Sequence, residues 1–271
     1  MPKPRKSSGS AHFEYAVLSH KGWVRANNED RMLVREFVGE KNGSPILAAV
    51  LCDGVGGHQA GEVAAQIGVD SVISFIAEAN SLEDPPDVLN QALLSANQVI
   101  LTAYENNSEL RGMAATCVTI LIKDQQLYLA NLGDSRAYLV RGGKAHQLNF
   151  DHTWLEDSIG VEFGARSGIT RDHPLAHVLS RYLGSPQPPE IDLRIRPIKG
   201  LGLSKKENNG LLIKSGDHLL LCSDGVTDVL KEEQIAENIS CPTPRKSAQK
   251  LVLAALEKGG HDNASVIVIF L

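Results

Sequence analysis

Five places in the chain put carboxylates where an apolar run begins or ends. Asp53 follows ILAAVLC and precedes Gly54, Asp224 follows LLLCS and precedes Gly225, and Asp134 follows LYLANLG. Asp262 precedes Asn263 and the last apolar run, and Glu29 and Asp30 close the stretch NNED. Taken singly, each has an ordinary reading. Asp bonds its own backbone and Gly accepts positive φ, so Asp-Gly marks a turn; Asp262-Asn263 reads as an Asx turn and Asp30 as a surface charge. Taken jointly, they raise a problem of charge. Carboxylates gathered at one end of a sheet repel one another and raise one another's pKa. Divalent cations remove that repulsion, and oxygen-only ligation by carboxylates, a backbone carbonyl and water suits hard ions such as Mg²⁺ or Mn²⁺. Gly54, lacking Cβ, lets a backbone carbonyl approach an ion closely. Spacing alone does not tell whether the five places meet.

The elements that would position them can be read from periodicity. Residues 46–52 form an apolar run ended by Asp53-Gly54, a buried strand stopping at a turn. Residues 61–79 carry apolar side chains at helical spacing, and Pro86 opens a second helical pattern. Short β-branched runs at 116–122, 127–132 and 137–140, separated by Lys123-Asp124-Gln125 and Arg141-Gly142-Gly143, predict antiparallel hairpins. Residues 219–222 and 265–270 read as further buried strands, and 243–258 as an amphipathic helix. Long helices between hairpins predict an α+β domain with helices packed on antiparallel sheets. The stretches 153–185 and 199–212 are weakly patterned, the second reading as an exposed loop.

Composition excludes other classes. The 271 residues are 42% hydrophobic with a net charge of −5, which suits a globular domain and not the basic footprint of a nucleic-acid binder. Four cysteines, Cys52, Cys117, Cys222 and Cys241, lack Cys-x-x-Cys spacing and read as free thiols in a reducing cytosol. The basic opening MPKPRKSSGS lacks the apolar stretch of a secretory signal and reads as a disordered tail over residues 1–12, ahead of a single domain over 13–271. No apolar run approaches the roughly 20 residues that span a bilayer.

Seven stretches, in order, resemble the metal-dependent protein phosphatase family (PPM, protein phosphatase type 2C), its bacterial members most closely: GWVRANNED, LCDGVGGHQAGEVAA, RGMAATCV, ANLGDSRAYLVRGG, DHT, SGDHLLLCSDGVTDVL and HDNASVIV. Together they span nearly the whole chain. The resemblance implies a four-layer α-β-β-α sandwich, two antiparallel sheets flanked by helices. It implies an enzyme that hydrolyses phosphoserine and phosphothreonine on proteins with a metal-activated water, using two core Mn²⁺ or Mg²⁺ ions and a looser third. By matching motif, Asp53 bridges two ions, Gly54 lends its carbonyl and Glu29 lies close to one of them. Asp224 and Asp262 hold the other, Asp134 serves the third with Asp224, and Asp30 orients ligands or waters. Arg25, four residues before Glu29, is the phosphate-binding arginine, a planar fork matched to phosphate oxygens. The implied setting is a cytoplasmic monomer whose substrates are phosphoproteins, targets of a Ser/Thr kinase.

The sequence departs from the family in places. Val55 stands where eukaryotic members carry a histidine proposed as general acid, and His58 three residues on does not inherit that role. His152 and His261 read as structural or surface histidines. Ala114 and Ala115 replace small residues more often Gly and Thr. Residues 153–185 correspond to the family's mobile flap, with His177 where relatives often carry Asn. Two rival readings follow from the same residues: a phosphatase dedicated to an anti-sigma-factor antagonist, and a catalytically inactive binding protein on the same fold. The complete set Asp53, Asp224, Asp262 and Arg25 speaks against the inactive reading.

Overall fold

A computed structural model describes residues 13–39, 43–55, 60–79, 81–156, 173, 175–198 and 210–271. Its layering follows from side-chain alternation along the central strands. In β3 (Pro45–Cys52) every residue after the first is buried. Ile46, Ala48, Val50 and Cys52 face one apolar cluster, whereas Leu47, Ala49 and Leu51 face another. A strand buried on both faces reads as a continuous apolar run, and it needs a layer on either side.

One layer is the helix pair α1 (Ala60–Glu78) and α2 (Pro85–Asn106). Pro85 begins α2 and the Asp84 carboxylate accepts from the Asp87 N–H at 3.2 Å, capping the first turn. By length and composition α1 could cross a membrane, but half of its apolar window is buried within the protein, where it packs against the sheet. The other layer is a second sheet. The first sheet runs β10 (Leu211–Leu212), β7 (Gln126–Leu132), β6 (Cys117–Lys123), β3, β2 (Arg31–Val38). The second runs β1 (Glu14–His20), β12 (Ala264–Phe270), β11 (His218–Cys222), β8 (Arg136–Arg141), β9 (Lys144–Gln147). All pairings in both sheets are antiparallel. Ile267 and Ile269 of β12 meet Leu47 and Leu51 between the sheets, whereas Val266 and Val268 face outward onto α4 (Glu232–Ile239) and α5 (Pro244–Glu257). The result is the expected four-layer α+β sandwich.

Both predicted hairpin turns form, with φ of 50° and 61° at Asp124 and Gln125 and of 59° and 74° at Gly142 and Gly143. Edge strands β1 and β2 and helix α4 have no counterpart in the sequence reading. β1 leaves its residues half-buried or exposed, so its sequence carries no continuous apolar run. The residues at 1–12 and most of the loop at 199–212 lie outside the described residues, as does His58.

Candidate metal centre

The acids sit on connections that all emerge at one end of the two sheets. Asp53 lies between β3 and β4 (Gly54–Val55), the latter paired with β5 (Ala114–Ala115). Its N–H donates to Thr116 Oγ1 at 3.0 Å, its carbonyl accepts from the Thr116 N–H at 2.8 Å, and the Thr116 hydroxyl meets that of Ser135 at 2.7 Å. Asp134 lies on the turn from β7 to β8, and Asp224 opens the short helix α3 (Asp224–Thr227) directly after β11. Asp262 precedes β12, and Arg25, Glu29 and Asp30 lie on the connection from β1 to β2.

Asn263 fastens that connection. Its Nδ2 donates to the carbonyls of Lys21 at 2.9 Å and Asn27 at 3.0 Å, and its Oδ1 accepts from the Glu29 N–H at 2.7 Å. Arg25 donates to Asp262 Oδ2 at 2.6 Å, and its side chain is 57% exposed. Asp30 is buried, 3% exposed, and accepts from Ser223 Oγ at 2.8 Å across 193 residues of sequence. It is therefore not the surface charge of the simplest reading.

Arg25, Glu29, Asp53, Gly54, Asp134, Asp224 and Asp262 line one cleft of 910 Å³, with Asp30 behind its wall. Both Asp-Gly pairs turn out to need glycine for a reason other than turn geometry. Neither Gly54 nor Gly225 has positive φ. A Cβ on Gly54 would collide with the carbonyl oxygen of Gly61 at the start of α1, and one on Gly225 with that of Asn263. The glycines let backbones touch, which draws the acid-bearing connections together.

The electrostatics are those of a site short of positive charge. Burial, then repulsion from Asp30, Asp224 and Asp134, pushes the Asp53 carboxyl well above the usual range. Burial, then Asp134, Asp228, Asp262 and Asp30, does the same to Asp224. Asp30 and Asp134 are each pushed up to about 6, burial being the largest cause in both. Burial also raises Glu29, against the pull of Arg25. Asp228 was passed over in the sequence, although its place four residues after Asp224 puts it on the same helical face; its charge bears on both Asp224 and Asp134. Thr116, Ser135, Ser223 and Asn263 were also passed over, since a lone hydroxyl or amide in a strand-end motif carries no signal of its distant partner.

Asp224 Oδ1 is buried with no hydrogen-bond partner among the described residues. An orphaned carboxylate oxygen on a residue of an acidic cleft that Gly54 also lines is suited to a hard cation. Among the described residues no three acidic, histidine or cysteine side chains close around a single point, so an ion here would complete its shell with water and backbone oxygen. The residues present fit divalent ions in a wet cleft.

A profile of the family described as protein phosphatase 2C matches residues 14–157. The chain belongs to that family. It is 34% identical over 260 residues to the serine/threonine protein phosphatase PstP of Mycobacterium tuberculosis, covering 94% of this chain and 44% of that protein, so it spans under half of that relative's length. It is 29% identical over 263 residues to the serine/threonine phosphatase stp of Listeria monocytogenes, covering 95% of each. The crystal structure of the PstP catalytic domain in complex with two manganese ions superposes with a TM-score of 0.74 at 31% identity, covering 95% of this chain and 97% of that one.

Within this family frame, His152 is structural as expected. It is 1% exposed, its Nδ1 accepts from the Gly133 N–H at 3.2 Å, and its Nε2 therefore carries the proton shared with Asp192 Oδ2 at 3.1 Å. His261 is exposed and does not line the cleft. Of the flap region, 157–172 and 174 lie outside the described residues, whereas His177, Val178, Leu179 and Tyr182 line the cleft.

Proposed function

We propose that this chain is a metal-dependent protein-serine/threonine phosphatase. Its substrates are phosphoproteins, the targets of a Ser/Thr kinase, and it works as a cytoplasmic monomer. The observation that carries the reading is the gathering of Asp53, Asp134, Asp224 and Asp262 with Arg25 in one cleft, from stretches far apart in sequence, with Asp224 Oδ1 unpartnered. Family membership and the two-manganese relative support it.

Asp53, Asp224, Asp262 and the Gly54 carbonyl would hold two core Mn²⁺ or Mg²⁺ ions with Glu29 beside them, and Asp134 with Asp224 a third. Ions there supply charge neutralisation for phosphoryl oxygens and a water acidic enough to act as nucleophile near neutral pH. Arg25 binds and orients the phosphate. One of its guanidinium nitrogens is taken by Asp262, and its other donors remain open to phosphate oxygens. Asp30, fixed by Ser223, sits behind the cleft and orients what the other carboxylates hold. Thr116 holds the Asp53 backbone at both its N–H and its carbonyl, which fixes where the side chain leaves the strand end.

The test is hydrolysis of p-nitrophenyl phosphate and of a phosphothreonine peptide by the wild type and Asp224→Asn. Activity that requires Mn²⁺ or Mg²⁺, disappears with EDTA and collapses in the variant supports the reading. A folded wild type inactive on both substrates with either ion removes it.

A further inference from the structure

The cleft has two chemically different walls. One carries the acids and Arg25. The other is mostly apolar: Val55, Val178, Leu179 and Tyr182 line the same cavity with His177 beside them, Val55 being 43% and Val178 50% exposed. A phosphorylated side chain fills only a small part of 910 Å³, a volume at the upper end for a whole small-molecule pocket. The residues flanking the phosphorylated one must therefore pass over the second wall.

That wall is fixed in place. The Trp154 N–H donates to the Val178 carbonyl at 2.9 Å and the Ser180 N–H to the His152 carbonyl at 3.0 Å. Leu183 and Ala115 exchange backbone hydrogen bonds of 3.1 and 2.8 Å, and the Gly184 N–H donates to Asn97 Oδ1 at 2.8 Å. Tethered on both sides of Val178, the surface is pre-organised, so binding to it costs little ordering entropy. An acidic flanking residue would meet Glu29 and Asp134 in the same cleft, which disfavours it.

We propose that Val55, Val178, Leu179 and Tyr182 form a specificity subsite for an aliphatic or aromatic side chain next to the phosphorylated residue. This rests on the phosphatase reading above. An open wall covers only part of such a side chain, so the expected preference is about 5- to 10-fold in kcat/KM.

The experiment compares, with Mn²⁺ present, phosphothreonine peptides that differ only in a flanking Leu, Ser or Glu. The wild type should favour Leu by about that factor over Ser, with Glu poorest. Val178→Ser should bring the Leu-to-Ser ratio close to one, while Leu253→Ser, exposed on α5 away from the cleft, should leave the ratio as it is. Equal hydrolysis of all three peptides by the wild type overturns the subsite and leaves the phosphatase reading standing. A Val178→Ser variant that slows every peptide equally shows a structural role and also overturns it. A wild type that hydrolyses none of them removes both readings together. The wild-type comparison stands even if the variant is poorly folded.

Discussion

Replacing Asp224 by asparagine should stabilise the ion-free chain and at the same time abolish its response to Mn²⁺. Asp224 holds a carboxylate where burial opposes its charge and Asp134, Asp228, Asp262 and Asp30 repel it, with one oxygen unpartnered. An amide of the same shape removes the charge. Removing a buried charge that neighbouring carboxylates repel recovers about 2 kcal/mol. In a domain of this size each kcal/mol moves Tm by about 2–4 °C, so the variant should melt about 4–8 °C higher in EDTA. The wild type should gain about 2.7 kcal/mol from Mn²⁺ at a hundred times its Kd, and the variant little of it. The pH dependence has a definite sign. Asp30 and Asp134 are raised to about 6, and Asp53 and Asp224 are pushed well above the usual carboxylate range by burial and their acidic neighbours. The folded ion-free chain therefore holds protons that the unfolded chain, with carboxylates near about 4, has released. Stability of the ion-free wild type should rise as pH falls from about 7 through 6 towards 4, and its gap to the variant should narrow. Thermal melts in EDTA and in excess MnCl₂ across that range measure all of this. A variant that melts below the wild type in EDTA, or keeps the full Mn²⁺ shift, would refute the reasoning.

Arg25→Ala should lower kcat/KM on phosphopeptides by about 10- to 100-fold, the loss of a charge-assisted hydrogen bond to phosphate, with Arg25→Lys recovering only part because the fork is gone; steady-state kinetics with Mn²⁺ present decide it. Gly54→Ala should weaken Mn²⁺ binding and destabilise the chain by about 2 kcal/mol, because the new Cβ drives β4 off Gly61; calorimetric titration and melting read the two effects. Asp192→Asn should cost about 2 kcal/mol near neutral pH by removing the charged acceptor of hydrogen bonds from Arg194 and His152. Burial works against the Asp192 charge, yet hydrogen bonds from Arg194 and His152 outweigh it and hold the carboxyl well below the usual range. Its stabilisation is therefore present above the unfolded value of about 4 and lost as pH falls through the lower folded one, so wild type and variant should converge in acid denaturation.

Much of this was legible in the sequence, because the signals are local. The run at 46–52 is a short continuous apolar stretch ended by Asp53-Gly54 and reads as a buried strand, and the turns at Asp124-Gln125 and Gly142-Gly143 announced hairpins. The acids at strand ends and the order of the motifs pointed to the fold family and the residues of the cleft. What the sequence left open depends on contacts between distant residues. Edge strands β1 and β2 bury too little for periodicity to single them out. The family resemblance gave Asp30 an orienting role, but its burial and its bond from Ser223, 193 residues away, are visible only in the folded chain. The glycines after Asp53 and Asp224 read as turn residues, Gly54 also as a carbonyl able to approach an ion, and only the fold reveals that they admit the backbones of Gly61 and Asn263. Thr116, Ser135 and Asn263 brace the site through hydrogen bonds that no local pattern encodes. The chain by itself determined which groups could bind a cation and phosphate and which elements carry them. Only the tertiary structure decided that they converge on one cleft shared with Val55, Val178, Leu179 and Tyr182, because the repulsion and desolvation that define the site exist only once separate strand ends are brought together.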